Sequence, residues 1–152
     1  MANRIYLGPN DRQPKAITNK PVTGAGFFPG TFVAERDTGL IQPAAFTTLL
    51  RLLGEPEFSG DFPFDATNPL KSPYNTYDSA HAYVIEPGQR YRAVVAAGSY
   101  VFGGALSITT GGRLAASTGT QMVVAYYKGV NGPIADGELV DIEIANFHPH
   151  VA

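Results

Sequence analysis

YRAVVAAGSYVFGGALSITTGGRLAAS, residues 91–117, is the stretch whose reading decides the fold. Tyr91, Ala93 and Val95 fall on one side of an extended chain, and Leu106 and Ile108 repeat the pattern further on. Gly98, Gly103-Gly104 and Gly111-Gly112 interrupt these short apolar runs. Alternation with period two between glycine breaks predicts antiparallel strands joined by tight turns. No side chain of the stretch exchanges a proton near neutral pH, so it reads as a frame.

Working outward, the chain has 152 residues, which fits one domain able to bury a core without covalent staples. Its 17 Gly and 12 Pro, with abundant Val, Thr, Tyr and Phe, favour a mainly β protein, a compact antiparallel barrel or sandwich of short strands. Cysteine is absent, which excludes disulfides and thiolate metal sites. Thirteen acidic against eleven basic residues give no field that would gather nucleic acid. The opening MANRIYLGPNDRQ has no apolar core of a secretion signal, and no apolar run approaches a membrane span, so a soluble chain made in a cytoplasm is expected.

Residues 1–26 are polar and broken by Gly8-Pro9, Pro14 and Pro21, which predicts an extended N-terminal arm with little ladder of its own. Its apolar cluster is Ile5, Tyr6 and Leu7, and its basic residues include Arg4, Arg12 and Lys15. The alternatives are a disordered tail and an anchor that reaches a partner. Residues 27–152 make one β-rich domain. It begins with a hairpin, strand 31–35 turning at 36–39 into 40–42, whose Gly30-Thr31-Phe32-Val33 echoes Gly98-Ser99-Tyr100-Val101. The echo reads equally as a repeat and as two similar hairpins. Phe46, Leu49, Leu50 and Leu53, spaced i, i+3, i+4, i+7 between Pro43 and Gly54, predict one short helix over 43–53. Residues 55–80 carry four prolines and the aromatics Phe58, Phe62, Phe64, Tyr74 and Tyr77 without a period, which predicts a long ordered loop at an interface.

Beyond residue 82 strands follow quickly: 82–86, a type II turn at Pro87-Gly88, then 90–96, 99–102, 105–109, 113–115 and 121–127. A loop over 128–137 leads to a last strand, 138–145, with Val140, Ile142 and Ile144 on one face and Asp141 and Glu143 on the other. Arg90 and Arg92 share a face of their own strand. They and the two acidic residues are candidate oligomer contacts or a solvated face.

Catalytic constellations are missing: no GxSxG, HExxH, phosphate-binding loop or paired-cysteine spacing occurs, so catalytic residues, cofactor and metal are all expected to be none. His148 and His150 share a strand face, but no carboxylate or cysteine beside them completes a metal set. His81 lies beside Asp78 and Ser79, an adjacency that says little because triads converge in space. Asp61, Asp65 and Asn68 lack the spacing and closing Glu of a calcium loop.

PGTFVxxxxxGLIQPA, then VIEPGQRYRAVVAAGSYVFGGALSITTGGRLAA, then VVAYYKG and DGELVDIEI resemble in order the capsid decoration, or cement, proteins of tailed bacteriophages. The resemblance covers 28–45 and 83–145 and is one of pattern, without a diagnostic motif. It implies a structural, non-enzymatic protein on the capsid exterior, made in the host cytoplasm. Its partner would be the lattice of major capsid subunits, which an N-terminal arm bridges. It further implies a symmetric homo-oligomer, a trimer ahead of a dimer, with no nucleic acid or membrane partner. Arg4, Ile5, Tyr6, Leu7, Arg12 and Lys15 are then the arm's contacts, and Phe58, Phe62, Phe64, Tyr74 and Tyr77 the loop's. The second reading is a non-catalytic binding module, such as a carbohydrate-binding, tail-fibre or baseplate domain, whose loop aromatics stack on sugars.

Overall fold

A computed structural model describes residues 5–9, 11, 14–55, 73, 74, 76, 77 and 79–150. Its strands are β1 (Tyr6–Gly8), β2 (Lys15–Pro21), β3 (Phe32–Arg36), β4 (Gly39–Ile41), β5 (Leu50–Leu53), β6 (Ser79–Val84) and β7 (Arg90–Val94). Then come β8 (Gly98–Tyr100), β9 (Ala105–Thr109), β10 (Arg113–Ala116), β11 (Met122–Tyr127), β12 (Gly132–Ile134) and β13 (Leu139–Pro149). They form a six-stranded sheet ordered β1-β7-β13-β11-β9-β10, a five-stranded sheet ordered β2-β6-β5-β3-β4, and a two-stranded ribbon of β8 and β12. Every ladder is antiparallel, neither sheet closes, and the mainly β architecture suits a sandwich.

Alternation along the five-stranded sheet explains why its strands are apolar on both faces. Phe32, Leu52 and Tyr83 enter the large core, while their neighbours Val33, Leu53 and Ala82 enter a smaller one. The large core lies against the six-stranded sheet, which adds Tyr91, Ala93, Leu106, Ile108, Leu114, Val140, Ile142 and Ile144. The smaller core is completed by Val22, Phe27, Leu40 and Tyr74. A strand that serves two cores loses its alternation, and the run LLRLL at 49–53 sets Leu50 and Leu52 in the large core and Leu53 in the smaller one.

That run is where the helix expectation fails. Leu50–Leu53 is β5, paired with β3 and β6, and residues 43–49 are irregular. Four leucines within five residues satisfy helical and extended patterns alike. The ladder wins because it pairs the backbone while both faces are buried. Leu49 takes φ 55, which ends any helical path, and the Gly54 N–H donates across the sheet to His81 O (2.7 Å) instead of capping a helix.

The N-terminal segment is also not a free arm. β1 pairs with β7 in one sheet and β2 with β6 in the other, so the described residues of this segment give a strand to each sheet. Pro21 ends β2 at a sheet edge, where a missing N–H is harmless. Ile5 is fully buried; its carbonyl accepts from Arg92 N–H (2.7 Å) and its N–H donates to Glu55 Oε2 (2.9 Å).

The turn at Pro87-Gly88 forms as expected, with Gln89 N–H bonded to Glu86 O (3.2 Å) and Gly88 at φ 88. It carries the chain from the five-stranded to the six-stranded sheet, so β6 and β7 are not a hairpin. The expected loop over 128–137 contains β12, which pairs with β8. The echo between Gly30-Thr31-Phe32-Val33 and Gly98-Ser99-Tyr100-Val101 ends in different pairings: β3 lies between β4 and β5, and β8 is bound to β12. Gly112 locks the two sheets together. A Cβ there would stand 2.0 Å from Phe32 O, its φ is 71, and its N–H donates to Pro43 O (2.9 Å).

Candidate functional site

The residues expected to meet a partner divide by what the fold does with them. Tyr6 sits in an aromatic cluster with Tyr91 (ring centroids 5.2 Å) and Tyr83 (6.5 Å), and its hydroxyl donates to Pro9 O. Tyr83 donates to Glu55 Oε1 (2.9 Å), so one carboxylate holds both the β1 backbone and this cluster. Ile5 and Tyr6 are therefore spent on the chain's own core, Leu7 is half-buried and Lys15 exposed at the start of β2. Burial, then the neighbouring Tyr6, Tyr83 and Glu86, hold the Tyr91 phenol far above its usual range. Its hydroxyl donates to the buried Gln89 Oε1 (2.7 Å).

Arg4, Arg12, Phe58, Phe62 and Phe64 lie outside the described residues, as do Asp61, Asp65, Asn68 and Asp78. Tyr74 turns inward and donates to Gly54 O (2.8 Å), whereas Tyr77 is 76% exposed at φ 69. On the outer face of the six-stranded sheet the charged pattern is matched within the chain. Asp141 is the register partner of Arg92 (3.8 Å), Glu143 that of Arg90, and Lys128 Nζ lies 3.9 Å from Glu143. His81 packs edge-on against Tyr83. His148 Nε2 meets the Tyr126 hydroxyl (2.9 Å) and His150 Nδ1 the Gly119 carbonyl (3.2 Å), so the two histidines have separate neighbours. No group of three or more metal-ligating side chains occurs among the described residues.

Two surfaces emerge that sequence reading does not single out. The first is a knuckle of two turns laid side by side. Residues 101–104 make a tight turn, Gly104 N–H donating to Val101 O (2.8 Å), with Gly103 at φ 82 in the third position where a side chain would be strained. The loop after β11 brings Val130 and Asn131 against it, and Phe102 N–H donates to Asn131 Oδ1 (2.7 Å). Tyr127 ties both turns down: its N–H and carbonyl pair with Gly104 and Gly103, and its hydroxyl donates to Val130 O (2.7 Å). Lys128 Nζ stands 4.9 Å from the Phe102 ring centre. Val101, Phe102 (58% exposed) and Val130 (86%) project outward from this braced backbone. An exposed apolar group on a fixed backbone loses little freedom on binding, which is what an adhesive contact requires.

The second surface is a cleft of about 570 Å³ where the β9–β10 turn, the turn leading into β13 and the segment before β3 converge. Phe28, 38% exposed, and Leu139 give it apolar wall, and Gln42, Arg113, Asp136 and Glu138 its polar groups. Arg113 Nη1 donates to both Asp136 carboxylate oxygens (2.6 Å each), and its Nε donates to Thr110 O (3.1 Å). Gln42 Nε2 donates to Gly26 O (2.9 Å). Burial, followed by Asp136 and Tyr127, raises the pKa of the nearby Tyr100 phenol.

No family model matches the chain, and no curated protein is similar to it. No helix among the described residues is long and apolar enough to cross a membrane. The knuckle had one signal in the sequence: Val101-Phe102 followed by Gly103-Gly104 sets apolar side chains where a turn, and hence solvent, begins. Reading 99–102 as strand hid it. The cleft had none, because its parts come from five separate segments.

Proposed function

We propose that this chain is a structural, non-enzymatic protein that docks on the exterior of a tailed-phage capsid and strengthens the shell by contacting neighbouring subunits. The single observation that carries the reading is the knuckle, where Val101, Phe102 and Val130 stand exposed on a backbone braced by hydrogen bonds. Beside it stands the order of sequence segments that resembles decoration proteins. The mode of attachment differs from a free arm, since Ile5 and Tyr6 are committed to the fold and the body presents the contact. A capsid repeats its binding site many times, so a small patch suffices when contacts between neighbouring copies add to it. The patch is apolar at its centre with Lys128 at its margin, the arrangement of a protein contact.

The test is co-sedimentation with heads of the phage that carries the gene, prepared without this chain. Wild-type protein pellets with the heads at a fixed stoichiometry. Phe102→Asp combined with Val130→Asp stays in the supernatant while keeping its circular dichroism and melting temperature. Undiminished pelleting of that variant defeats the reading.

A further inference from the structure

Among the cavities, charged clusters and exposed patches of the molecule, the cleft at Phe28 carries a site distinct from the knuckle. We propose that it binds a neutral oligosaccharide, with Phe28 stacking on a sugar ring and Asp136, Arg113 and Gln42 bonding its hydroxyl edge. The chemistry of the walls selects this class. A pyranose is flat, with C–H groups on its faces and hydroxyls around its rim, so its recognition needs an aromatic face next to planar polar groups. The cleft sets Phe28, 38% exposed, with two carboxylates, one guanidinium and one amide.

Preorganisation points the same way. Arg113 holds the Asp136 carboxylate by two contacts of 2.6 Å while the Asp136 side chain stays 56% exposed, so its outer lone pairs face solvent from a fixed position. Gln42 donates its Nε2 to Gly26 O, which fixes the amide and leaves its oxygen as an acceptor. Hydroxyls both donate and accept, and so they can meet carboxylate, guanidinium and amide together. Gly26 and Gly137 also line the cleft, with open space where their side chains would stand. The volume of about 570 Å³ falls within the usual range for ligand sites and admits two or three sugar rings.

Charge argues against the competitors. Two carboxylates, Asp136 and Glu138, line the cleft, and an anionic ligand must approach both. A lysine or arginine side chain has to compete for Asp136 with Arg113, whose charge already engages that carboxylate. A neutral polyol suffers neither penalty.

The experiment is a heteronuclear NMR titration of the intact chain with neutral trisaccharides of glucose, galactose, mannose and N-acetylglucosamine, and separately with pentalysine. At least one trisaccharide is expected to shift the amides of Gly26, Phe28, Gly111 and Gly137 in a saturable manner. Phe28→Ala should weaken that binding by about tenfold or more, Phe28→Tyr should preserve it, and Asp136→Asn should weaken it with the remaining spectrum unchanged. The proposal is overturned if no trisaccharide moves these amides, if the shifts map elsewhere, or if pentalysine alone occupies the cleft. Phe28→Ala should still pellet with phage heads, so the two sites fail or succeed separately.

Discussion

Ile5-Tyr6 and Val101-Phe102 are two short apolar pairs in the same chain with opposite fates. The first is sealed in the large core by the carbonyl of Ile5 on Arg92, the carboxylate of Glu55 and the rings of Tyr83 and Tyr91. The second stands outside, on a turn whose backbone bonds leave its side chains in solvent. The difference lies in what each pair can reach. β1 lies along the edge of β7 and finds an apolar groove there, while the turn after β8 leaves Val101 and Phe102 exposed. A segment rich in proline and charge can thus be structural, and a turn inside the most regular part of the sequence can be the adhesive one.

The contrast can be broken most severely at its buried end. Removing residues 2–8 should uncover Tyr91 and the β7 edge and collapse stability, seen as a fall in the urea midpoint of several molar units or loss of the folded state. Ile5→Ala alone should cost about 2–5 kcal/mol. A free arm would tolerate both changes with no shift in midpoint. Gly112 comes next. Gly112→Ala drives a Cβ into Phe32 O and demands a left-handed conformation of alanine, so a loss on the order of 3 kcal/mol is expected by the same measurement.

Tyr91 gives a pH signature for the buried cluster. Its phenol is held protonated in the folded state above the usual pKa, so its contribution is fully present below about pH 10 and is lost as pH rises beyond that. The unfolded chain releases this proton first, and stability should fall by up to about 1.4 kcal/mol per pH unit there. Tyr91→Phe should flatten that slope in alkaline urea titrations, the remainder coming from groups such as Tyr100, which shifts the same way.

The smallest effect is expected on the charged face. Asp141→Asn with Glu143→Gln removes half-exposed partners of Arg92 and Lys128, and should change stability by less than about 1 kcal/mol. The mass measured by light scattering should stay the same. A change in mass would mark these four charges as contacts between copies.

Much of the frame was legible because period two is local. Tyr91, Ala93, Val140, Ile142 and Ile144 all point inward as their alternation requires, and the Pro87-Gly88 turn needs only its own two residues. Pairing was not legible, since whether a turn joins neighbours or crosses between sheets depends on partners far along the chain. β6 and β7, on either side of that turn, belong to different sheets for this reason. Leu50, Leu52 and Leu53 defeated the helix reading because a strand that buries leucines on both faces loses its alternation. The candidate surfaces were the least legible. Phe28, Gln42, Arg113 and Asp136 meet only once both sheets are assembled, and Phe102 looks like core until its turn is placed.

The central claim, that the body of the protein and not its N-terminus makes the adhesive contact, is met most directly by one sedimentation experiment on phage heads lacking the chain. The double variant Phe102→Asp, Val130→Asp, shown to melt at the wild-type temperature, should remain unbound at concentrations where wild-type protein saturates the heads. Saturation by the variant at the wild-type concentration would contradict the account.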